Sequence, residues 1–327
     1  MKGEKYGPNK CSGSVIYYYS NLWIKIIRGL GHLATERPLN IMYKKLKLTN
    51  HFINGDKKTN YLEDFIYVIF FIFEVLNDKR AKPDNSQSSY YKNIILDYYE
   101  KGFFLKMSPS RILCHFFLLN WLKNNFSRDD NVNILDVGCG NTVALTIFKK
   151  YFKNFQYYGC DFKKRDNWDS IKNKNVFLFE QKIEEEIKID LPQINIIHSQ
   201  SVFEHVEYDL SGFQQLSKKF KKARQIHFLP APISFLNYEK HGFRRYSLRA
   251  LENLKRELEK ENMKIYNLGG SRAFKYHFNF LEKNNFKKFN LSKILKFKND
   301  INDEIELLKF LFSDKDKSFP VFYAIDF

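Results

Sequence analysis

Two glycines, Gly138 and Gly140, stand where the backbone could come close to a ligand. They follow an apolar run, residues 133–137, that is long enough for a buried strand and too short for a helix. Glycine carries no Cβ, so the chain can turn sharply there and lie against a bound group. Val143 begins an apolar segment that predicts a helix, whose first N–H groups point at the same spot. Strand, glycine turn and helix together predict a cofactor cradle.

A carboxylate follows the next predicted strand. Residues 155–160 have the composition of a strand, and Asp161 comes directly after them, about 20 positions beyond the first glycine. In a doubly wound sheet this spacing puts an acid at the tip of the neighbouring strand, where it can bond both hydroxyls of a ribose. A nicotinamide enzyme uses the same device, so these residues alone do not choose between cofactors.

Further residues resemble a known family. The stretch DVGCG at 136–140, Asp161, and IIHSQSVFEHV at 196–206 are similar to the class I S-adenosylmethionine-dependent methyltransferases that act on small molecules. Three features separate the chain from a dehydrogenase: Asp136 before the turn, the Glu204-His205-Val206 corner after the fourth strand, and Thr142 in place of a third glycine, which a dinucleotide site needs for close helix packing.

The resemblance covers roughly residues 108–327 and implies an enzyme with an α/β, Rossmann-like fold: a seven-stranded class I methyltransferase sheet. Ser108-Pro109 is a helix start, and residues 248–261 read as a helix. The strands are predicted at residues 133–137, 155–160, 176–179, 194–198, 225–229, 263–268 and 321–327. We also expect a helical N-terminal extension over residues 1–107, covering the acceptor site, and a helical insertion at about 279–313.

The resemblance implies a set of residues that bind S-adenosylmethionine. Asp136 and the two glycines would lie near the methionine portion, Asp161 would hold the ribose, and Gln181 would lie near the adenine. Ser199 and Gln200 end the fourth strand and could each bond the ammonium or carboxylate of the cofactor. As an alternative, Gln181 and Ser199 are ordinary polar loop residues.

On the acceptor side, His241 and His205 are the candidates for a general base, because removing a proton assists methyl transfer to a hydroxyl. His205 could instead be part of a structural corner. Arg244, Arg245 and Tyr246 resemble a cluster that closes over the acceptor in relatives, and an arginine could fork onto a phosphate or carboxylate. The alternative is that one arginine caps the following helix and Tyr246 packs.

The chain of 327 residues has 54 basic and 37 acidic side chains, a formal charge of +17 that favours an anionic partner. A basic run at 218–224 could touch a phosphate backbone, but it fits a solvated helix face better. The position after the fourth strand reads SQSVFEH and lacks the Pro-Pro signature of amino-methylating nucleic-acid enzymes. Nucleic acid is therefore the less favoured partner.

Four scattered cysteines indicate neither a disulfide framework nor a metal knuckle, and no His, Cys and Asp cluster has metal-ligand spacing. We expect no bound metal. The first residues contain no apolar signal core, and the apolar stretch at 61–76 is shorter than the ~20 residues of a membrane span. These features predict a cytoplasmic protein without a transmembrane segment, although peripheral membrane contact is compatible with the charge.

The sequence as a whole predicts O-methylation of a small-molecule or carbohydrate-like acceptor, with a phosphorylated or lipid-linked acceptor in keeping with the charge. Two rivals stay open: an RNA methyltransferase that uses the basic surface, and a non-catalytic protein that retains the cofactor fold. Nothing in the sequence fixes the acceptor, the atom methylated or the oligomeric state.

Overall fold

A computed structural model of the protein describes residues 54, 56–57, 108–234, 241–270, 273–274, 276–277 and 320–327. The chain divides into two compact units, residues 1–49 and 50–327, and all described residues belong to the second. Apart from residues 54, 56 and 57, the predicted extension over 1–107 lies outside the described residues. The predicted insertion at about 279–313 lies outside them as well.

All seven predicted strands are present, and the helix predicted to begin at Ser108-Pro109 begins there. The strands are β1 (Asn131–Val137), β2 (Asn154–Asp161), β3 (Val176–Glu180), β4 (Ile196–Gln200), β5 (Arg224–Pro230), β6 (Lys264–Leu268) and β7 (Phe322–Asp326). The main helices are α1 (Pro109–Asn125), α2 (Val143–Tyr151), α3 (Asp209–Lys219) and α4 (Leu248–Glu257).

The strands form one sheet in the order β3-β2-β1-β4-β5-β7-β6. The first five strands pair in parallel, whereas β7 runs antiparallel to both β5 and β6. The chain moves outward from β1 to β3 on one side and from β4 to β5 on the other, so the strand order reverses between β1 and β4. In such sheets ligands bind outside the carboxyl ends of the strands at this reversal.

Side chains of β1 point alternately into two hydrophobic cores, one on each face of the sheet. Ile134 belongs to an apolar cluster that includes Phe117 of α1 and Phe148 of α2. Its neighbour Leu135 belongs to a second cluster with Phe213 of α3. Because side chains of a strand point alternately to opposite faces, a continuous apolar run is what a central strand covered on both sides requires.

Helix α1 is buried on almost every side. Phe117 of α1 meets the rings of Phe228 on β5 and Tyr266 on β6, with centroids 6.0 and 5.0 Å apart. This packing ties α1 across the strands on one side of the reversal. No helix among the described residues is long and apolar enough to cross a membrane.

Element boundaries differ from the predictions by a few residues. The helix predicted over 248–261 ends at Glu257, and the strand predicted over 194–198 is observed at Ile196–Gln200. Pairing decides the second case, because the ladder between β1 and β4 begins at the pair Ile134 and Ile196. An apolar pattern shows that a strand is buried, but the partner strand fixes where its ladder begins.

Candidate active site

The glycine turn between β1 and α2 has a backbone that neighbouring groups can approach closely. Gly138 and Gly140 have φ values of 65° and 49°, and Thr142 also has a positive φ of 58°. A Cβ added at Gly138 would lie 2.3 Å from Val202 Cγ2, so that glycine is needed for packing. Among the residues that the structure describes, a Cβ added at Gly140 would meet nothing closer than Asp161 Oδ2 at 4.0 Å. The turn therefore leaves open space above Gly140.

Asp161 borders this space from the end of β2. Its buried carboxylate accepts a hydrogen bond from the Gly140 N–H through Oδ2 at 2.9 Å, and its Oδ1 pairs with Arg165 Nη2 at 2.9 Å. A carboxylate offers about four acceptor positions, so each oxygen retains capacity for one hydroxyl. The exposed Phe162 ring lies beside it, 5.3 Å from the Arg165 guanidinium carbon. The arrangement fits a ribose with an adjacent flat base.

The segment after β2 also fastens the glycine turn. Trp168, in a short 3-10 helix, donates its Nε1–H to the Gly140 carbonyl at 2.8 Å, and the Asn167 amide donates to the Asn141 carbonyl at 3.3 Å. The sequence analysis did not identify these residues. An indole after the second strand gives no spacing signal, because its use depends on how the loop returns over the turn.

Asp136 lies inside the sheet instead of at its edge. Its Oδ1 is 2.7 Å from His198 Nδ1, and its Oδ2 accepts a hydrogen bond from the Tyr157 hydroxyl. All three side chains are buried, and Asp136 and His198 are partners in the β1 and β4 ladder. The contact predicted between Asp136 and the methionine portion stays a prediction, while the described contacts make it a buried anchor beneath the turn.

The remaining predicted cofactor residues collect at the ends of β3 and β4, but their side chains have protein partners. The Gln181 amide donates to three backbone carbonyls of the turn that follows it. The fully buried Ser199 hydroxyl is 2.8 Å from His227 Nδ1, and Gln200 hydrogen-bonds His115. These contacts favour the alternative of polar structural residues for Gln181 and Ser199, and their cofactor roles stay predictions.

The two candidate bases meet at one carboxylate. His205 ends a 3-10 helix after β4, and His241 precedes the loop to α4. Their Nδ1 atoms are 2.7 and 3.0 Å from Oδ2 and Oδ1 of Asp56, and the two rings are 4.5 Å apart in an edge-on arrangement. These three side chains lie close enough to share one ion, a cluster that the sequence spacing does not indicate, and the expectation of no bound metal stays a prediction.

A close backbone contact brings His241 to His205. The Phe243 N–H donates to the Glu204 carbonyl at 2.6 Å. Gly242 has a φ of 68°, and a Cβ there would lie 2.5 Å from that carbonyl oxygen. The glycine is therefore required for the loop to lie against the corner, and the corner carries His205.

Ionisable groups in and beside this cluster have shifted pKa values. Burial would raise the pKa of the Asp56 carboxyl, but hydrogen bonds from the two histidines and the Gly242 N–H outweigh it and hold that pKa well below its usual range. Burial opposes the charge of His205, yet Asp56 and Glu204 outweigh it and raise the pKa of His205. Burial raises the pKa of the Glu204 carboxyl, whose side chain lies beneath His205.

The predicted acceptor-binding residues are buried. Arg244 pairs with Asp209, and the Tyr246 hydroxyl donates to the same carboxylate at 2.7 Å. Arg245 donates to the His241 carbonyl and, at 2.8 Å, to the Arg244 carbonyl. These contacts hold the loop in place, and Tyr246 packs as the alternative expects, but the side chain that caps α4 is that of Ser247. Contact of Arg244, Arg245 or Tyr246 with an acceptor stays a prediction.

The order of the seven strands, with β7 reversed between β5 and β6, is the arrangement of the class I methyltransferases. The chain has the class I methyltransferase fold. In this class I sheet the glycine turn and Asp161 lie at the ends of β1 and β2, which we call the cofactor side after the role predicted for these residues. His205 and His241 follow β4 and β5, which we call the acceptor side after the role predicted for them.

Several solved methyltransferase structures are similar to the chain at low TM-scores. The plantazolicin methyltransferase BamL, solved with a triazolic desmethylPZN analog and SAH, is 11% identical, over 79% of this chain and 97% of its own, with a TM-score of 0.45. A SAM-dependent methyltransferase from Archaeoglobus fulgidus is 16% identical, over 65% and 93%, with a TM-score of 0.39. No known family model and no curated protein matches the sequence. At these identities the likeness concerns the fold alone.

Proposed function

We propose that this protein transfers the methyl group of S-adenosylmethionine to an oxygen of a small-molecule or carbohydrate-like acceptor. The observation that carries the proposal is the open space above Gly140, bordered by the Asp161 carboxylate. Thr142, the residue before α2, stands where a dinucleotide site needs its last glycine. The cradle therefore suits a cofactor with a ribose and without a pyrophosphate.

On the cofactor side, S-adenosylmethionine supplies a methyl group activated by a positively charged sulfur. Asp161 would accept hydrogen bonds from the ribose hydroxyls. The Gly140 N–H donates to the same carboxylate and keeps it oriented. Trp168 holds the Gly140 carbonyl from the opposite side, so the turn is fixed before the ligand arrives. Such preorganisation lowers the entropic cost of aligning the methyl group with its acceptor.

On the acceptor side, the Asp56 carboxylate can only accept hydrogen bonds, so each histidine presents a protonated Nδ1 to it. In the neutral ring, Nε2 is then the basic nitrogen. The raised pKa of His205 makes it the poorer base at neutral pH. We assign proton acceptance from the acceptor hydroxyl to His241, with His205 as the second candidate.

An anionic acceptor, such as a phosphorylated sugar or a lipid-linked saccharide, is supported by the charge of +17. The basic run on and after α3 gives weaker support to an RNA acceptor, because Lys219 donates to the Ile189 carbonyl at 3.2 Å and Phe220 is buried. We also place the protein in the cytoplasm, supported by Cys114, Cys139 and Cys160, which are free thiols.

The test uses full-length protein, methyl-labelled S-adenosylmethionine and two fractions of a cell extract, one of polar small molecules and one of RNA. We expect ribonuclease-resistant label in the small-molecule fraction and, at a subsaturating cofactor concentration, about tenfold less label or lower still with the Asp161→Ala variant. Label in RNA that declines steeply with salt would support the RNA rival instead. Cofactor binding without label in either fraction would support the non-catalytic rival.

A further inference from the structure

We propose that Asp56, His205 and His241 bind a divalent first-row transition-metal ion on the acceptor side. One ligand atom from each side chain lies within 4.8 Å of the others. The Asp56 oxygens are 2.7 and 3.0 Å from the two Nδ1 atoms. Ligands about 2.1 Å from a six-coordinate ion stand about 3.0 Å apart along an octahedral edge. Each histidine therefore already stands at ligand spacing from one carboxylate oxygen of Asp56.

The backbone holds the ligands in place. Contact between Gly242 and the Glu204 carbonyl fixes the two imidazole rings 4.5 Å apart. Asp56 sits in a tight turn, with its own N–H bonded to Asn54 Oδ1 at 2.9 Å. A site whose ligands are held before binding spends less of the binding free energy on ordering side chains.

The charges around the site also favour a cation. Two carboxyl groups, those of Asp56 and Glu204, lie at the cluster, and the guanidinium of Arg245 interacts with Glu204 and His205. Glu204 is buried, its Oε2 has no hydrogen-bond partner in the described part of the chain, and its Oε1 is 3.9 Å from His205 Nε2. Buried polar atoms nearly always have partners. A cation beside His205 compensates this carboxylate.

The donor set indicates the kind of ion. Two imidazole nitrogens and one carboxylate oxygen suit zinc, manganese, iron or cobalt better than magnesium or calcium, which prefer oxygen ligands. Three protein ligands with further positions open are typical of catalytic sites. The side chains of Asp56, His205 and His241 are 36%, 34% and 43% exposed, so an ion and an acceptor oxygen both reach the site.

The ion's role rests on the proposed function, whereas its binding does not. An acceptor hydroxyl bound to the ion loses its proton to solvent more readily than a free one. The oxygen then forms a bond to the methyl carbon as the carbon–sulfur bond breaks, and that electron pair stays on sulfur as the neutral thioether. Binding of the ion through Nδ1 requires the tautomer of each histidine that carries its proton on Nε2. With the ion present, His241 acts as a ligand, and the proton of the acceptor goes to water instead of to its imidazole.

The binding test titrates metal-stripped full-length protein with Mn²⁺ and follows the free ion by electron paramagnetic resonance. We expect one Mn²⁺ per chain, displaced by Zn²⁺. The shape-preserving variants Asp56→Asn and His241→Asn should weaken binding about tenfold or more. As matched control, Asp129→Asn removes an exposed carboxylate paired with Lys153 and should bind as the parent does. The proposed site would be overturned if the parent protein did not bind Mn²⁺ stoichiometrically. It would also be overturned if Asp56→Asn bound Mn²⁺ as tightly as the parent does.

A second measurement separates this inference from the proposed function. Methyl transfer by chelator-treated protein should fall and return on adding Mn²⁺. Full transfer in the presence of chelator keeps the proposed function, leaves His241 as the base and overturns the role of the ion in methyl transfer. Stoichiometric Mn²⁺ binding by a protein that does not bind S-adenosylmethionine supports the metal site and overturns the proposed function.

Discussion

Replacing Gly242 by alanine tests whether the loop must lie against the Glu204 carbonyl to bring His241 to His205. At a φ of 68° an alanine costs about 1–2 kcal/mol relative to right-handed backbone. Its Cβ would also lie 2.5 Å from the Glu204 carbonyl oxygen, so one of the two backbones must shift. Overpacking of this kind costs roughly 1–3 kcal/mol more. We expect Gly242→Ala to lose about 2–5 kcal/mol in the free energy of unfolding.

Gly140→Ala is the matched control, because its φ is also positive at 49° but its Cβ would enter open space. It should lose only the backbone contribution of about 1–2 kcal/mol. Urea unfolding followed by circular dichroism measures both losses. Titration with S-adenosylmethionine should give the opposite order, with binding impaired by Gly140→Ala and retained by Gly242→Ala. Equal stability losses in the two variants would refute the close-approach argument.

Three further predictions concern single side chains. Asp161→Ala should weaken S-adenosylmethionine binding tenfold or more by calorimetry, since hydrogen bonds to a charged group contribute about 1.5–3 kcal/mol; unchanged affinity would remove Asp161 from the ribose site. His241→Ala should slow turnover and leave cofactor affinity alone, and equal turnover would remove it from the mechanism. Burial lowers the pKa of His115 and His227 to about 3, so below pH ~6.5 the unfolded chain binds protons that the folded chain does not, and stability should fall by up to ~1.4 kcal/mol per pH unit for each histidine. His227→Gln should show a shallower fall in unfolding free energy from pH 6.5 to 5, and an unchanged slope would contradict the assignment.

The sheet could be predicted from the sequence because each strand carries its own signal. Apolar runs of strand length, bounded by glycine or polar turns, located all seven strands. The two glycines and Asp161 were found because their spacing along the chain reflects adjacent strand ends. Local pattern and tertiary position coincide at these residues, so sequence reasoning reaches them.

The direction of a buried polar side chain could not be predicted in the same way. Asp136 faces His198 inside the sheet, and Ser199 faces His227, because the register between neighbouring strands decides which side chains meet. Likewise, no spacing rule relates Asp56 to His205 and His241, which come together only through folding. Sites assembled from distant positions leave no periodic trace in a single sequence.

Calorimetric titration of the full-length protein with S-adenosylmethionine, and separately with a reduced nicotinamide cofactor, tests the central claim most directly. The glycine turn, the open space above Gly140 and the Asp161 carboxylate predict saturable binding of S-adenosylmethionine at one site per chain and no binding of the nicotinamide cofactor. Binding of the nicotinamide cofactor alone would contradict the proposed methyl transfer.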